Sequence, residues 1–249
     1  MALVSFITPS YNSAKFVSET ILSVQAQTIS DWELVIVNDG STDNSPNIIN
    51  SFAKNDHRIR IINQNNSGSA AARNNALRNA TGRYICFLDA DDILAPNFIS
   101  SQLNYIRTNN AALVFASYNR IDVSGKIILR PFIVPSKVDY NGLLKTCSIS
   151  CLTAMYDREK VGEHYFNEDL RSMRDDYVFW LSMLKKINIA YGNKEILGSY
   201  RIMTQSTTGN KRKVIKPQFD VYYKIEKLGI IKSLYYMLCW AMNSVLKYI

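Results

Sequence analysis

The fold class is decided by the stretch Tyr84-Ile85-Cys86-Phe87-Leu88-Asp89-Ala90-Asp91-Asp92. A short apolar run followed at once by acidic turn residues predicts a buried strand that ends where the carboxylates begin. Three short apolar runs precede it in the chain, each with a longer amphipathic stretch after it, at Leu3–Thr8, Trp32–Asn38 and Arg58–Asn63. This alternation predicts βαβ units and therefore an α/β fold with a mostly parallel central sheet flanked by helices.

Turn residues follow each of the four predicted strands. They lie at Pro9–Asn12, Asn38–Ser41, Asn65–Gly68 and Asp89–Asp92. Open α/β sheets bind their ligands at the carboxyl ends of the strands. We therefore expect the four turns to contribute to one shared site.

The second half of the chain alternates less regularly. A helix is predicted to begin near Pro96, followed by a strand at Ala112–Ser117 and a hairpin through Asp122–Lys126. Further on, an amphipathic helix starts at Arg174–Asp176, and a strand covers Ile196–Tyr200. We expect this half to carry the structure that binds a second substrate.

The C-terminal region is basic and then amphipathic. Lys211–Lys213 is followed by two predicted helices, Gln218–Leu228 and Ile230–Ile249. The uncharged stretch inside the last helix is shorter than the roughly 20 residues that cross a bilayer. A helical wheel places Lys232, Tyr236, Asn243 and Lys247 on one face and Leu234, Leu238, Ala241, Val245 and Ile249 on the other.

The charge balance favours anionic partners. The 249 residues include 29 Lys and Arg against 21 Asp and Glu, a formal net charge of +8, which suits nucleotides, phosphorylated lipids, membrane surfaces or nucleic acid. The four cysteines show no CxxC spacing, and the N-terminus lacks the basic segment of a signal peptide. A reduced cytoplasmic protein is therefore expected, unless its other end attaches it to a membrane.

Asp89 and Asp91 suggest a metal site. Two carboxylates at alternate positions beyond a strand can hold one hard divalent cation, with diphosphate oxygens and water as its other ligands. Such an ion neutralises a diphosphate leaving group. The alternative reading is a solvated acidic turn that caps the next helix.

Two other turns offer groups for a nucleotide. Asp39 could accept a hydrogen bond from a base or a ribose, or could be an ordinary turn residue. Arg73 lies on a helix that opens at Gly68, and a helix N-terminus and an Arg both suit phosphate or base edges. The alternative for Arg73 is a surface position on an alanine-rich helix.

Five motifs in this order resemble those of the family 2 glycosyltransferases with the GT-A fold. The resemblance covers about residues 3–210 and is specific for the family but not for the sugar. It implies a metal-dependent, inverting transferase that moves a sugar from a nucleotide-sugar, by default a UDP-sugar, to an acceptor hydroxyl in bacterial surface-polysaccharide synthesis. The motifs are Thr8–Asn12, Ser23–Thr28, Glu33–Asp43, Gly68–Asn74 and Gly82–Asp92.

The resemblance also implies roles for single residues. Arg174–Trp180 resembles the segment that supplies the catalytic base, with Asp176 as the base and Asp175 beside it; a carboxylate there would take the acceptor proton. Gly198–Ser206 resembles the family's Tyr-Arg segment, but Met203 stands where a His is frequent, so no metal ligand is expected there. The implied donor-binding residues are Thr8, Pro9, Tyr11, Asp39, Arg73, Asp89 and Arg201, and the implied ligands of Mn²⁺ or Mg²⁺ are Asp91 and Asp89.

The expected organisation is a catalytic domain at 1–212, with a nucleotide-binding half at 1–92 and an acceptor-binding half at 93–212, and an amphipathic tail at 213–249. The resemblance implies a glycan or lipid-linked acceptor from capsule, O-antigen or exopolysaccharide synthesis. The basic tail favours a peripheral position on the inner face of the plasma membrane. The tail could instead pack on the catalytic domain or form a homodimer.

Two other functions remain open on the residues alone. Nucleotidyl transfer also uses paired carboxylates and a metal, but the phosphate loop GxxxxGK[ST] is absent from the sequence. A non-catalytic basic module that binds nucleotides or membranes would fit the net charge. Nucleic acid is not an expected partner, because carboxylates at the strand ends repel phosphates.

Overall fold

The structure is a computed structural model, and it describes residues 2–170, 173–203 and 211–246. Short 3₁₀ turns cover Cys151–Thr153 and Glu168–Leu170, and a π-helical turn covers Val221–Ile225. The strands are β1 (Val4–Ser10), β2 (Trp32–Asp39), β3 (Ile59–Gln64), β4 (Tyr84–Phe87), β5 (Ile93–Leu94), β6 (Leu113–Ile121), β7 (Ile127–Phe132), β8 (Lys137–Asp139), β9 (Met155–Asp157) and β10 (Ile189–Arg201). The α-helices are α1 (Val17–Gln25), α2 (Ser45–Asn55), α3 (Ser69–Asn79), α4 (Phe98–Asn109), α5 (Tyr140–Lys145), α6 (Arg158–Val161), α7 (Asp175–Ile187), α8 (Lys211–Asp220) and α9 (Ile230–Leu246).

One mixed sheet organises these elements in the order β3-β2-β1-β4-β9-β6-β10-β5, with β7 paired to β6 and β8 to β10. The strands from β3 to β4 are all parallel, as are β6 and β10. The contacts of β9, β7, β8 and β5 are antiparallel. The α/β prediction is confirmed; the sheet is wholly parallel from β3 to β4 and mixes parallel and antiparallel pairs beyond β4. A short hairpin such as β6–β7 can join only antiparallel strands.

The four strands predicted in the first half are confirmed within two residues at each end. The predicted hairpin and the helices near Pro96 and Arg174 are present as β6–β7, α4 and α7. The strand predicted at Ile196–Tyr200 is the end of a longer strand, β10, which begins at Ile189. The helix predicted at Gln218–Leu228 is instead the end of α8 followed by the π-helical turn.

The sheet separates two apolar clusters, because successive side chains of a strand point to opposite faces. Ile7 and Phe87 belong to one cluster, whereas Phe6 and Leu88 belong to the other. On the first face, Phe87 contacts Phe179 of α7 edge-on, with ring centroids 5.3 Å apart. Helix α7, which begins at Asp175, is therefore packed directly on the strand that leads to Asp89.

The turn after β2 requires a glycine. Gly40 has a φ of +73°, and an added Cβ would lie 2.9 Å from the backbone nitrogen of Asn66. A left-handed conformation in so little space suits only glycine. The close approach brings the loop after β3 over the carboxyl end of β2, where Asp39 is located.

The C-terminal segment packs on the second half of the chain through one side of α9. The Tyr236 hydroxyl lies 3.3 Å from Oδ1 of Asn141, and Nδ2 of Asn243 lies 3.3 Å from the carbonyl oxygen of Lys145. Within the described ranges, no helix is both long enough and apolar enough to cross a membrane. Lys247 and Ile249 of the predicted helix lie outside the described residues, and so does Thr204–Ser206 of the Tyr-Arg segment.

Candidate active site

A cavity of about 820 Å³ opens at the carboxyl ends of β1, β2 and β4. Residues from both halves of the chain line it, because the start of α7 faces these strand ends. The predicted site residues that line it are Pro9, Tyr11, Asp39, Arg73, Asp89, Asp91, Asp175 and Asp176. The structure therefore brings these residues together in one cavity at the carboxyl edge of the sheet, as expected from the turns.

Asp39 is held in place by the loop after β3. Its Oδ1 accepts hydrogen bonds from the backbone nitrogen of Ser67 at 2.8 Å and from Nε2 of Gln64 at 2.8 Å. Its Oδ2 accepts one from the backbone nitrogen of Gly68 at 2.9 Å. A carboxylate has about four acceptor positions, so one remains to accept an N–H of a nucleotide base.

Arg73 joins two carboxylates from different halves of the chain. Its Nη2 lies 2.6 Å from Oδ1 of Asp89, and its Nη1 lies 2.8 Å from Oδ2 of Asp175. The Arg73 side chain is only 7% exposed. Because both ends of the guanidinium are engaged, Arg73 orients the acidic groups of the site.

Asp91 and Asp89 are suited to a divalent cation. Burial and the neighbouring charge of Asp89 raise the pKa of Asp91 to about 6, so an additional positive charge would stabilise its ionised form. The described ranges contain no group of three or more His, Cys, Asp or Glu side chains arranged to hold a metal. Two carboxylates do not complete a coordination shell by themselves; they suit Mn²⁺ or Mg²⁺ if a diphosphate and water supply the other ligands.

The two acidic residues at the start of α7 differ in their surroundings. Asp175 is buried, accepts hydrogen bonds from Arg73 and from the Ser69 hydroxyl, and has its pKa raised by burial. Asp176 is only half-buried and lines the same cavity. Among the described residues it forms no ion pair within 4.0 Å. Asp176 is thus the carboxylate that is available to a substrate.

Thr8 and Arg201, both predicted to bind the donor, are not among the residues that line the cavity. Thr8 is fully buried beneath it. The Arg201 guanidinium donates to the carbonyl oxygens of Asp91 at 2.8 Å and Asp122 at 3.1 Å, and it pairs with Glu19 at 2.7 Å. In this arrangement Arg201 supports the loop that carries Asp91.

Two cations in the cavity were not singled out from the sequence. Lys15 follows β1, and Arg174 immediately precedes the acidic pair; both line the cavity. A cation beside an acidic motif is a weak signal, because surface Lys and Arg are common in a chain of this charge. Only the placement of α7 against the strand ends brings Arg174 to the site.

The fold is shared with solved glycosyltransferases. The structure of residues 1–349 of S. aureus TarS in complex with UDP matches with a TM-score of 0.69 at 21% identity, over 90% of this chain and 66% of that one. Mannosyltransferase PcManGT from Pyrobaculum calidifontis, in complex with GDP-Man and Mn²⁺, matches with a TM-score of 0.69 at 19% identity, over 92% of this chain and 65% of that one. The chain thus spans about two thirds of each.

The sequence has relatives of nearly its own length. A Bacillus subtilis protein provisionally named as the teichuronic acid biosynthesis glycosyltransferase TuaG is 38% identical over 246 residues, 98% of this chain and 97% of its own. The Escherichia coli UDP-Glc:alpha-D-GlcNAc-diphosphoundecaprenol beta-1,3-glucosyltransferase WfgD is 37% identical over 248 residues, 99% of this chain and 95% of its own.

The fold and the site together define a glycosyltransferase of the GT-A class. A family model described as Glycosyl transferase family 2 matches residues 5–165. The chain belongs to this family, and glycosyl transfer is favoured over nucleotidyl transfer and over a non-catalytic module.

Proposed function

We propose that the chain transfers a sugar from a UDP-sugar to a hydroxyl group of a lipid-linked glycan, with inversion at the anomeric carbon. The observation that carries the proposal is that Asp176, without an ion-pair partner among the described residues, faces the same cavity as Asp89 and Asp91. The relative WfgD, by its name, uses UDP-Glc and a diphosphoundecaprenol-linked sugar. A surface-polysaccharide acceptor of this kind is the one we propose here.

The donor would bind along the ends of β1, β2 and β4. Pro9, Tyr11 and Asp39 line the part of the cavity in which we place the nucleoside. Asp91 and Asp89 would hold a Mn²⁺ or Mg²⁺ ion against the diphosphate, and the bound ion supplies Lewis-acid stabilisation of the departing charge. Arg73 keeps the Asp89 carboxylate in position for this role.

Asp176 is proposed as the catalytic base. Its carboxylate would take the proton of the acceptor hydroxyl while that oxygen attacks the anomeric carbon from the side opposite the diphosphate. The bond between the anomeric carbon and the phosphate oxygen breaks in the same step, and both of its electrons leave with the diphosphate. A single displacement of this kind inverts the anomeric centre.

The outer face of α9 is proposed to lie on an anionic membrane, at the cytoplasmic surface where a lipid-linked acceptor would be reached. The side of the helix that carries Tyr236, Met237 and Asn243 packs on the protein, whereas Ile231, Leu234, Leu238 and Met242 form an exposed apolar stripe. Lys232, in the first turn of the helix, is also exposed. Apolar insertion together with basic residues is typical of interfacial helices.

Donor binding tests the proposal through calorimetric titration with UDP in the presence and absence of Mn²⁺. We expect Mn²⁺-dependent binding by the wild-type protein and loss of that dependence in Asp91→Ala. Asp169→Ala is a matched control, because Asp169 is exposed and lies outside the cavity lining. Equal UDP affinity with and without metal in the wild-type protein would contradict the metal role.

A further inference from the structure

Arg174 is a cation of the cavity that has no acidic partner among the described residues. Three described cations line the cavity, namely Lys15, Arg73 and Arg174. Arg73 is engaged by Asp89 and Asp175. Within the described ranges, no carboxylate lies within 4.0 Å of the Arg174 guanidinium. Its positive charge is therefore available to a ligand.

The backbone and the aromatic neighbours of Arg174 hold it at this position. Arg174 has a φ of 65°, a left-handed conformation that a side chain other than glycine rarely adopts. Its guanidinium lies 5.9 Å from the ring centroid of Tyr177 and 5.5 Å from that of Trp240. Its Nε is buried and has no hydrogen-bond partner in the part of the chain that the structure describes. A strained, unsatisfied cation next to the acidic pair points to function.

Trp240 connects Arg174 to the helix with the exposed apolar stripe. It belongs to α9, on which Leu234 and Leu238 face away from the protein. The diameter of a helix with its side chains is about 10 Å. If the outer face of α9 inserts into the headgroup region, the Arg174 guanidinium, which contacts Trp240 on the same helix, lies within about one helix diameter of the lipid, within reach of a diphosphate that projects from the membrane.

We propose that Arg174 is a specificity-determining residue that binds the diphosphate of a lipid-linked acceptor, and this inference rests on the proposed function. A diphosphate entering a cavity lined by Asp89, Asp91, Asp175 and Asp176 is repelled unless a cation meets it. The planar guanidinium can form two parallel hydrogen bonds to phosphate oxygens. Binding there would present the lipid-linked sugar to Asp176, two residues further along the chain.

Titration with farnesyl diphosphate and with farnesol tests the inference on the full chain saturated with UDP and Mn²⁺. We expect the wild-type protein to bind farnesyl diphosphate more tightly than farnesol. Arg174→Ala should weaken farnesyl diphosphate binding about tenfold or more, as for loss of a hydrogen bond to a charged group. Alanine meets the same backbone strain as arginine at this φ, so the variant tests the guanidinium.

Lys15→Ala is the matched control, since Lys15, which follows β1, is the other described cation of the cavity that forms no ion pair with a described residue. It should leave the affinity for farnesyl diphosphate unchanged. Equal farnesyl diphosphate affinity in Arg174→Ala and wild type, or equal affinity of the wild type for farnesyl diphosphate and farnesol, would overturn the inference. Failure of the proposed function itself would be visible separately, as absence of Mn²⁺-dependent UDP binding in the same preparation.

Discussion

Arg73 is the residue on which the geometry of the acidic site depends most. Its buried guanidinium contacts Asp89, which follows β4, and Asp175, which begins α7. Removing one member of a buried charge network leaves the others uncompensated, a loss of about 3–5 kcal/mol. The donor-side and acceptor-side carboxylates are thus fixed relative to each other by one side chain, before any substrate binds.

His164 gives the stability of the protein a defined pH dependence. Burial, with a smaller effect from the charge of Lys186, lowers the pKa of His164 below its ordinary value of 6.5. The unfolded state then binds more protons than the folded state as the pH falls below that ordinary value. The free energy of unfolding should therefore be independent of His164 above about pH 7.5 and decrease as the pH falls towards about pH 5.5.

Urea denaturation of wild type and His164→Gln at these two pH values measures the contribution of His164. Glutamine can still form a hydrogen bond with the Ser182 hydroxyl, which lies 2.9 Å from Nε2 of His164. We expect the wild-type protein to lose more stability between the two pH values than the variant does. An identical pH dependence in both proteins would show that His164 titrates as in the unfolded chain.

For single residues, most of those that the sequence motifs predicted for the site do lie there. The motifs predicted less well which atoms each side chain contacts. The expected acidic residues and Arg73 all line the cavity. The side-chain directions of Thr8 and Arg201 depend on long-range contacts, such as the pairing of Arg201 with Glu19, and no local pattern contains them. A motif specifies a residue type at a strand end, whereas tertiary packing decides whether its side chain reaches the ligand.

Among the helices and strands, α9 is the one whose orientation matters for the proposed membrane contact. A helical wheel predicts two faces but not which of them packs on the protein. Ser233, Tyr236 and Asn243 contact the protein or are buried, and the apolar side is exposed, with Leu238 at 66% and Met242 at 69%. Apolar area exposed in this way is stabilised when it enters a lipid interface.

Leu234→Glu tests this face. Leu234 is 52% exposed, and Leu22 on α1, at 53%, provides a matched control in Leu22→Glu. The wild-type protein should sediment with phosphatidylglycerol-containing vesicles, and Leu234→Glu should bind them about tenfold more weakly, because the transfer of one leucine into lipid is lost. Leu22→Glu should bind as the wild type does.

Unchanged vesicle binding by Leu234→Glu would contradict membrane contact through α9. If analytical ultracentrifugation instead shows a wild-type dimer that Leu234→Glu converts to a monomer, the apolar stripe is a subunit interface. The two outcomes separate the alternatives that amphipathicity left open.

The elements that sequence patterns predict best are those with a strong local period. The strands of the first half are short apolar runs between turn residues, and β2 is buried at all its positions. By contrast, β10 extends back to Ile189 because β8 and β6 pair with it there. The π-helical turn at Val221–Ile225 places Tyr222 in the core, where its hydroxyl donates to the Leu144 carbonyl oxygen at 2.7 Å. These features depend on partners distant in sequence.

On the scale of the whole molecule, the first half of the chain, up to β4, and the second half contribute different groups to the cavity. The parallel half provides the strand ends where we propose that a nucleotide and a metal bind, and the mixed half brings α7 with its acidic pair to the same cavity. Phe87 of β4 packs on Phe179 and Trp180 of α7, with ring centroids 5.3 and 5.8 Å apart. On the proposed roles, donor binding and proton removal belong to different halves and should be separable by substitution.

The rate of sugar transfer from a radiolabelled UDP-sugar to a lipid-diphosphate-linked sugar, measured for wild type and Asp176→Asn, tests the proposed reaction most directly. Asparagine keeps the shape of Asp176 but cannot take a proton, so transfer should fall by about 10²- to 10⁴-fold. The affinity for UDP in the presence of Mn²⁺ should stay unchanged, because the donor half is intact. Transfer by Asp176→Asn at the wild-type rate would contradict the assignment of the base and the mechanism built on it.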